Sequence, residues 1–443
     1  MTDARAAAPA DLPTDGDEPA APPSYPLLEL SDGVPPVVES THALRQVVAA
    51  FAAGTGPVAI DAERASGYRY GQRCYLVQLR REGSGTALID PLGCPDLSSL
   101  DEALADAEWI LHAANQDLPC LADLGLRPRA LFDTEVAARL AGYERVGLAT
   151  MVEVVLGRRL DKGNSSADWS QRPLSPALLR YAALDVEPLV ELRDHLEREL
   201  TEQGKIEWAR EEFAAIATAP PAIPRVEPWR RTSGMHRIRQ SRQLAGVRAM
   251  WELRDEIARK RDIAPGRILP DSAIVEAVLK APTTPDALAE IAPFSGRSLR
   301  RQVDVWHAAL ARAATLPNDA LPTTSGTSDG GPPPAHRWAE RDPVAAGRLA
   351  RTRAAIAAVA AEHSLPVENL LEPAVLRRLA WQPPPSVDAD SVAEALAVHG
   401  ARLWQVRLTA ASLADALLEP PPAADSAASV ADDCDDAADP ESA

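Results

Sequence analysis

The sequence predicts an α/β domain built on a mixed sheet, followed by two small all-helical segments. Three observations carry this reading. Between residues 33 and 217, short apolar runs alternate with helix-patterned stretches. Two of those runs flank a glycine-rich turn, which places an antiparallel hairpin among βα units and helices on both faces of the sheet. From 240 to 316 and from 337 to 418 the pattern is helical throughout.

Taken in order, residues 57–61 (Pro-Val-Ala-Ile-Asp) form a short apolar run after Gly54 and Gly56 and read as a strand. Residues 74–79 and 86–90 read as strands joined through Gly83-Ser84-Gly85. A helix is expected over 97–107 and a strand over 108–112. From Asp133 onward most segments read as helix, ending in a long one after Pro188. Pro220, Pro221, Pro224 and Pro228 mark an extended linker. In the first helical segment Leu244, Val247, Trp251, Arg254 and Ile257 share one face, and Thr284-Pro285 is an N-cap and N1 pair. The two helical segments resemble a diverged repeat, with Pro265 and Leu269 echoing Pro366 and Leu370, and Trp306 echoing Trp404. The expected organisation is a disordered acidic tail (1–32), the α/β domain (33–217), a linker (218–236), a helical domain (237–316), a second linker (317–334), a second helical domain (335–418) and another acidic tail (419–443).

The chain has 443 residues and a formal charge of −18, which on its face argues against a nucleic-acid partner. The charge is unevenly placed. Residues 1–32 carry −6 and residues 419–443 carry −8, whereas residues 225–316 hold 17 bases against 10 acids. No apolar run approaches the ~18 residues of a membrane span, and the acidic start lacks signal-peptide character. Four cysteines without CxxC spacing argue against a zinc or disulfide framework and fit a reducing, cytoplasmic setting.

Four carboxylates and one phenol stand out. Asp61 and Glu63 are two apart at the end of the first strand, so both face one side. Asp117 follows the 108–112 strand, where an ordinary helix N-cap is the competing role. Tyr181 and Asp185 sit at i and i+4 on a helix. Hard divalent cations seek such oxygen ligands, and two ions ~3.5–4 Å apart stabilise the attacking and leaving oxygens of a phosphodiester.

The stretches Ile-Asp-Ala-Glu (60–63), Leu-His-Ala-Ala-Asn-Gln-Asp (111–117) and Tyr-Ala-Ala-Leu-Asp (181–185) resemble the three motifs of the tyrosine-containing DEDD exonucleases. Phe132-Asp133-Thr134 and the run 160–174 narrow the resemblance to the ribonuclease D family. The resemblance implies a ribonuclease H-like exonuclease domain and release of nucleoside 5′-monophosphates from RNA 3′ ends. It also implies two divalent ions, Mg²⁺ or Mn²⁺. By resemblance Asp61 bridges both ions, Glu63 and Asp185 hold the one that carries the attacking water, Asp117 holds the other, and Tyr181 orients the water. Arg64 departs from the aromatic or aliphatic residue many relatives carry there. Lys162, Trp169 and Arg172 are candidate RNA contacts, with packing as the competing role for Trp169. His112 reads as a packed, hydrogen-bonded residue.

The segment 237–316 resembles the helicase-and-ribonuclease-D C-terminal (HRDC) domain, and 335–418 reads as a second, HRDC-like copy. Arg259, Lys260, Arg261 and Arg267 cluster near the first helix end. Residues 293–301 are expected to open a helix on which Arg297, Arg300 and Arg301 meet a phosphate. The implied partner is RNA with a free single-stranded 3′ end, such as a tRNA precursor, with no membrane and a monomeric chain. A DNA 3′-exonuclease and a silent RNA-binding scaffold are the alternatives. No GxxxxGK[ST] motif supports an ATP-driven activity.

Overall fold

The computed structural model describes residues 25–161, 167–324 and 331–418. The first part alternates strands and helices as the sequence pattern requires. Strand β1 (Val37–Val38) precedes α1 (Thr41–Ala53), β2 (Thr55–Arg64), β3 (Cys74–Glu82), β4 (Gly85–Ile89), α2 (Ser98–Ala103), β5 (Glu108–Leu111), α3 (Leu118–Ala122) and β6 (Ala130–Asp133). Helices α4 (Thr134–Ala141), α5 (Leu148–Leu156), α6 (Pro176–Val186), α7 (Leu189–Glu202) and α8 (Ile206–Ala217) complete the domain. The six strands lie in the order β1-β4-β3-β2-β5-β6. The β2-β3 and β3-β4 pairs are antiparallel, and the β1-β4, β2-β5 and β5-β6 pairs are parallel, which is the expected mixed sheet. The β3-β4 turn needs Gly83 and Gly85, whose φ angles are 78° and 73°.

Several boundaries differ from the sequence reading. Strand β2 runs to ten residues because its antiparallel partner β3 extends the ladder beyond the apolar run. Helix α2 stops at Ala103, short of the expected 107. Strands β1 and β6, two and four residues long, carry no readable period. The N-terminal segment is ordered earlier than 32: Leu28 is 3% exposed, and residues 26–32 lie along the domain. The acid-rich composition of the first 32 residues masked this short Leu-Leu-Glu-Leu run. Residues 1–24 and 419–443, read as tails, lie outside the described residues.

The second part begins with α9 (Ser241–Arg261), then α10 (Pro265–Ile268), α11 (Asp271–Lys280), α12 (Pro285–Ala289), α13 (Arg297–Arg300) and α14 (Val303–Ala314). It has its own core around Trp306 and Phe294. Arg254, the one charge on the apolar face of α9, is neutralised by Asp271 at 2.5 Å and caps Leu269 O at 3.0 Å. The Thr284 side chain accepts from Ala287 N–H at 3.1 Å, the expected cap.

The third part contains α15 (Trp338–Arg341), α16 (Pro343–Glu362), α17 (Val367–Leu370), α18 (Pro373–Trp381), α19 (Ala389–Val398) and α20 (Leu403–Leu418). From α16 on it repeats the order long, four-residue and medium helix seen from α9, but the fourth helix differs, five residues in α12 against ten in α19, and α13 is an added turn. The residue ending the short helix is extended in both copies: Leu269 has φ −153°, ψ 113°, and Leu371 has φ −155°, ψ 124°. The structural partner of Leu269 is therefore Leu371, one residue beyond the sequence pairing. Unlike the second part, the third shares its core with the α/β domain. Trp404 stacks on Trp208 of α8 at 5.2 Å and 12°, and its Nε1 donates to Glu212 at 2.9 Å.

Candidate active site

The site forms where β2 ends. Asp61 and Glu63 face Gln78 and Leu76 across the ladder, and a register shift between Glu63 and Arg64 ends the regular pairing. Alternation along the strand turns both acids to one face. Helix α6 covers that face. Ser175 caps it by accepting from Leu178 N–H at 3.3 Å, and Pro176 occupies its first turn. The i, i+4 spacing puts Tyr181 and Asp185 over the strand end. One carboxylate oxygen from each of Asp61, Glu63 and Asp185 lies within 4.8 Å of the others.

Asp117 approaches from the β5-α3 loop. It occupies the N-cap position of α3, yet its side chain makes no capping hydrogen bond, so the ordinary role is not filled. It is 6% exposed, and its carboxylate lies 3.8 Å from the Arg64 guanidinium. It stands outside the 4.8 Å triplet. The loop is shaped by Asp133, which accepts from Ala113 N–H at 3.2 Å and Ala114 N–H at 2.8 Å and holds Ala113 at φ 61°. Asp133 also caps α4 through Glu135 and Val136 N–H. It was legible as part of a family stretch but not as the residue that sets Asp117.

Electrostatics set the cluster apart from a solvated acidic patch. Burial raises the Asp61 carboxyl above its ordinary value. Burial and then repulsion from Asp61, Asp185 and Asp117 raise Glu63. Burial and the charge of Asp61 raise Asp117 and Asp185. Burial and the charges of Asp185 and Glu63 hold the Tyr181 phenol protonated far above neutrality. Like charges this close, and this poorly hydrated, favour a cation among them. The cavity over them is about 340 Å³ and is also lined by His112, Glu153, Arg159 and Asp161. His112 Nδ1 meets Thr134 Oγ1 at 2.9 Å, and burial pushes its pKa down to about 4, so it is a neutral packed residue.

Comparison with known proteins fits this geometry. A family model described as a 3′-5′ exonuclease matches residues 36–201, an HRDC domain model matches 243–310, and a model described as a 3′ to 5′ exonuclease C-terminal domain matches 331–417. Ribonuclease D of Acidiphilium cryptum is 33% identical over 313 residues, covering 68% of this chain and 78% of that protein. The chain belongs to the ribonuclease D family. Ribonuclease D of Escherichia coli is 32% identical over 289 residues, covering 64% of this chain and 75% of the relative. Among solved structures, a protein from Bifidobacterium adolescentis superposes with a TM-score of 0.78 at 38% identity, covering 89% of this chain and all of that one. The E. coli RNase D structure, described as an exoribonuclease involved in structured RNA processing, superposes with a TM-score of 0.63 at 26% identity, covering 87% of this chain and 99% of that one.

Within this ribonuclease D-type chain, the candidate RNA contacts divide. Lys162 lies outside the described residues. Trp169 is 1% exposed and packs beside Tyr181 with ring centroids 6.2 Å apart, so its faces meet protein and not a base. Arg172 acts as an internal clamp in this fold. Its Nε and Nη2 form a fork on Asp90 at 2.5 and 2.9 Å, and its remaining donors reach the carbonyls of Trp169, Gln171 and Tyr75 at 2.7–2.8 Å. All five guanidinium N–H groups are thereby used.

Arg297, Arg300 and Arg301 are exposed and make no ion pair among the described residues. The helix they open is interrupted: α13 spans four residues and breaks before α14. Other bases of the HRDC part serve docking. Arg267 donates to Gly67 O at 2.6 Å and covers the Tyr68 ring at 4.0 Å, while Arg259 pairs with Asp255. Tyr70 donates from its hydroxyl to Asp255 at 3.0 Å and from its N–H to Asp262 at 3.3 Å. The HRDC part thus rests on the loop that directly follows the Asp61-Glu63 strand.

Proposed function

We propose that the chain removes nucleoside 5′-monophosphates from RNA 3′ ends by metal-dependent phosphodiester hydrolysis, and that structured RNA precursors such as tRNA are its substrates. The observation that carries the reading is the convergence of Asp61, Glu63 and Asp185 within 4.8 Å, with Asp117 and Tyr181 at the same strand end. Their donor set fits a hard divalent ion: all ligand atoms are carboxylate oxygens, and burial leaves their charge uncompensated. Asp61, Glu63 and Asp185 are the residues to hold one ion, and Asp61 with Asp117 a second, Mg²⁺ or Mn²⁺. Such a pair supplies Lewis acidity to the attacking water and to the leaving oxygen. The Tyr181 hydroxyl, at the same strand end as the acids, orients that water as a hydrogen-bond partner.

No helix among the described residues is long and apolar enough to cross a membrane. A cytoplasmic, monomeric enzyme is part of the same proposal; Cys74, Cys94 and Cys120 are free thiols, the form a reducing compartment keeps.

The test is incubation with matched 3′-labelled RNA and DNA oligomers in Mg²⁺, Mn²⁺ or EDTA. Metal-dependent loss of 3′ nucleotides from RNA supports the reading. Preference for DNA would transfer the activity to DNA ends. No loss from either would leave an RNA-binding scaffold.

A further inference from the structure

The 3′-5′ exonuclease model begins to match at residue 36. The segment just before it, residues 26–32, is nonetheless built into the catalytic face. Leu28 N–H donates to Arg159 O, and Arg159 N–H donates to Pro26 O, both at 2.8 Å, forming a parallel bridge between Leu27 and Arg159. Glu29 pairs at 2.7 Å with Arg180, the neighbour of Tyr181. Ser31 donates its N–H and O–H to Glu187 at 3.2 and 2.6 Å, two residues after Asp185. One strand of chain thus grips the middle and the C-terminal end of the helix that carries Tyr181 and Asp185, and pins the loop after α5.

Arg159 is held there by both backbone groups, while its side chain is exposed and makes no ion pair or hydrogen bond among the described residues. The preceding residue differs: Arg158 is spent on a fork to Glu191 at 2.9 and 3.2 Å. Arg159 lines the same cavity as Asp61, Tyr181 and Asp185, and the other charged residues on that wall are acids. It is therefore the one permanent cation among the described residues lining the cavity. An RNA strand must bring phosphates to this acidic wall. A guanidinium suits a phosphate in charge and fork geometry, and a backbone fixed beforehand lowers the ordering cost of using it to that of the side chain alone.

We propose that Arg159 is a positioning residue that holds a backbone phosphate of the RNA strand at the mouth of the carboxylate cleft, and that residues 26–32 are the strap that sets it there. The proposal rests on the cleft being a nuclease site.

The test uses full-length protein with Arg159→Ala, Arg159→Lys, Leu28→Pro, which deletes the N–H that grips Arg159 O, and the Leu28→Pro/Arg159→Ala double variant. KM and kcat are measured on a single-stranded oligoribonucleotide, and Kd for the same oligomer is followed against salt in EDTA. Arg159→Ala should raise KM roughly tenfold and lower kcat less than about threefold. It should also reduce the slope of log Kd on log salt by about 0.7. Arg159→Lys should restore the slope. Leu28→Pro should raise KM several-fold alone but add less than about twofold to Arg159→Ala. An unchanged KM and salt slope in Arg159→Ala would overturn the phosphate contact, and additive effects of the two changes would overturn the strap. Loss of metal-dependent hydrolysis in the wild type would refute the nuclease reading instead, while the slope, measured without metal, still tests Arg159 directly.

Discussion

Replacing Arg172 by alanine should destabilise the α/β domain without changing how strongly the protein holds RNA. Asp90 is 5% exposed, and the Arg172 fork is its counter-charge. One other bond, from Leu92 N–H at 2.8 Å, would remain to it. Breaking a buried pair from one side costs about 3–5 kcal/mol, because the surviving charge is left in a poorly hydrated site. The substitution also frees the carbonyls of Tyr75, Trp169 and Gln171. At about 1.4 kcal/mol per factor of ten, opening of the sheet around Tyr75 should become roughly two to four orders of magnitude more frequent. Hydrogen exchange of the β3 amides reads this directly. Arg172→Lys should recover little, since an ammonium cannot serve a fork and three carbonyls at once. The Asp90→Asn/Arg172→Ala double variant should be less destabilised than Arg172→Ala. Unchanged exchange in Arg172→Ala, together with a tenfold weaker RNA Kd in EDTA, would refute this reasoning and return Arg172 to the nucleic-acid surface.

Asp61→Ala should abolish turnover, while RNA affinity measured in EDTA stays within about threefold if binding is carried by the basic HRDC part; a parallel loss of affinity would contradict that division. The metal-free protein should lose stability as pH rises from about 4 toward 8. The cluster carboxyls titrate above their ordinary values, chiefly through burial, so the folded state retains protons that the unfolded chain has already released. Saturating Mg²⁺, at about 100 times its Kd, should return about 2.7 kcal/mol at neutral pH, and thermal melts in EDTA and Mg²⁺ across this range check the sign. Asp185→Asn should raise the melting temperature in EDTA by removing one of the crowded charges, while lowering kcat on the order of 100-fold or more; a lower melting temperature would show that the acids do not repel. Trp404→Ala should cost about 3–5 kcal/mol in the joint between α20 and α8, because it removes both the stack on Trp208 and the bond to Glu212; faster hydrogen exchange of the α20 amides reads the loosening, and unchanged exchange would contradict it.

The catalytic acids were legible because chemistry and spacing coincide within single elements. Asp61 and Glu63 share a strand face, and Tyr181 and Asp185 share a helix face, so local periodicity alone pairs them. Their meeting, and the approach of Asp117, depend on tertiary folding that the motif resemblance supplied and local pattern did not. Trp169 and Arg172 show the limit. Their residue types suit RNA equally well, and distant partners decide what they do here: Asp90, 82 positions away, holds Arg172, and the packing beside Tyr181 encloses Trp169. The strap was illegible for the same reason: Leu28 meets Arg159 and Ser31 meets Glu187 across long sequence gaps. The interruption after Arg300 is equally invisible to a pattern that reads helix on both sides.

The charge of −18 is likewise resolved into parts. The basic excess sits in the HRDC part, which docks on the loop following Glu63. The acids of the cleft are suited to divalent ions where a phosphate backbone approaches.

The most direct test of the central claim is hydrolysis of a single-stranded oligoribonucleotide in oxygen-18 water with Mg²⁺, followed by mass analysis of the released nucleotides. The expected products are nucleoside 5′-monophosphates, lost from the 3′ end, each carrying one heavy oxygen on phosphorus, and none from Asp61→Ala. Release of 3′-phosphates or cyclic phosphates, or an unlabelled product, would contradict it.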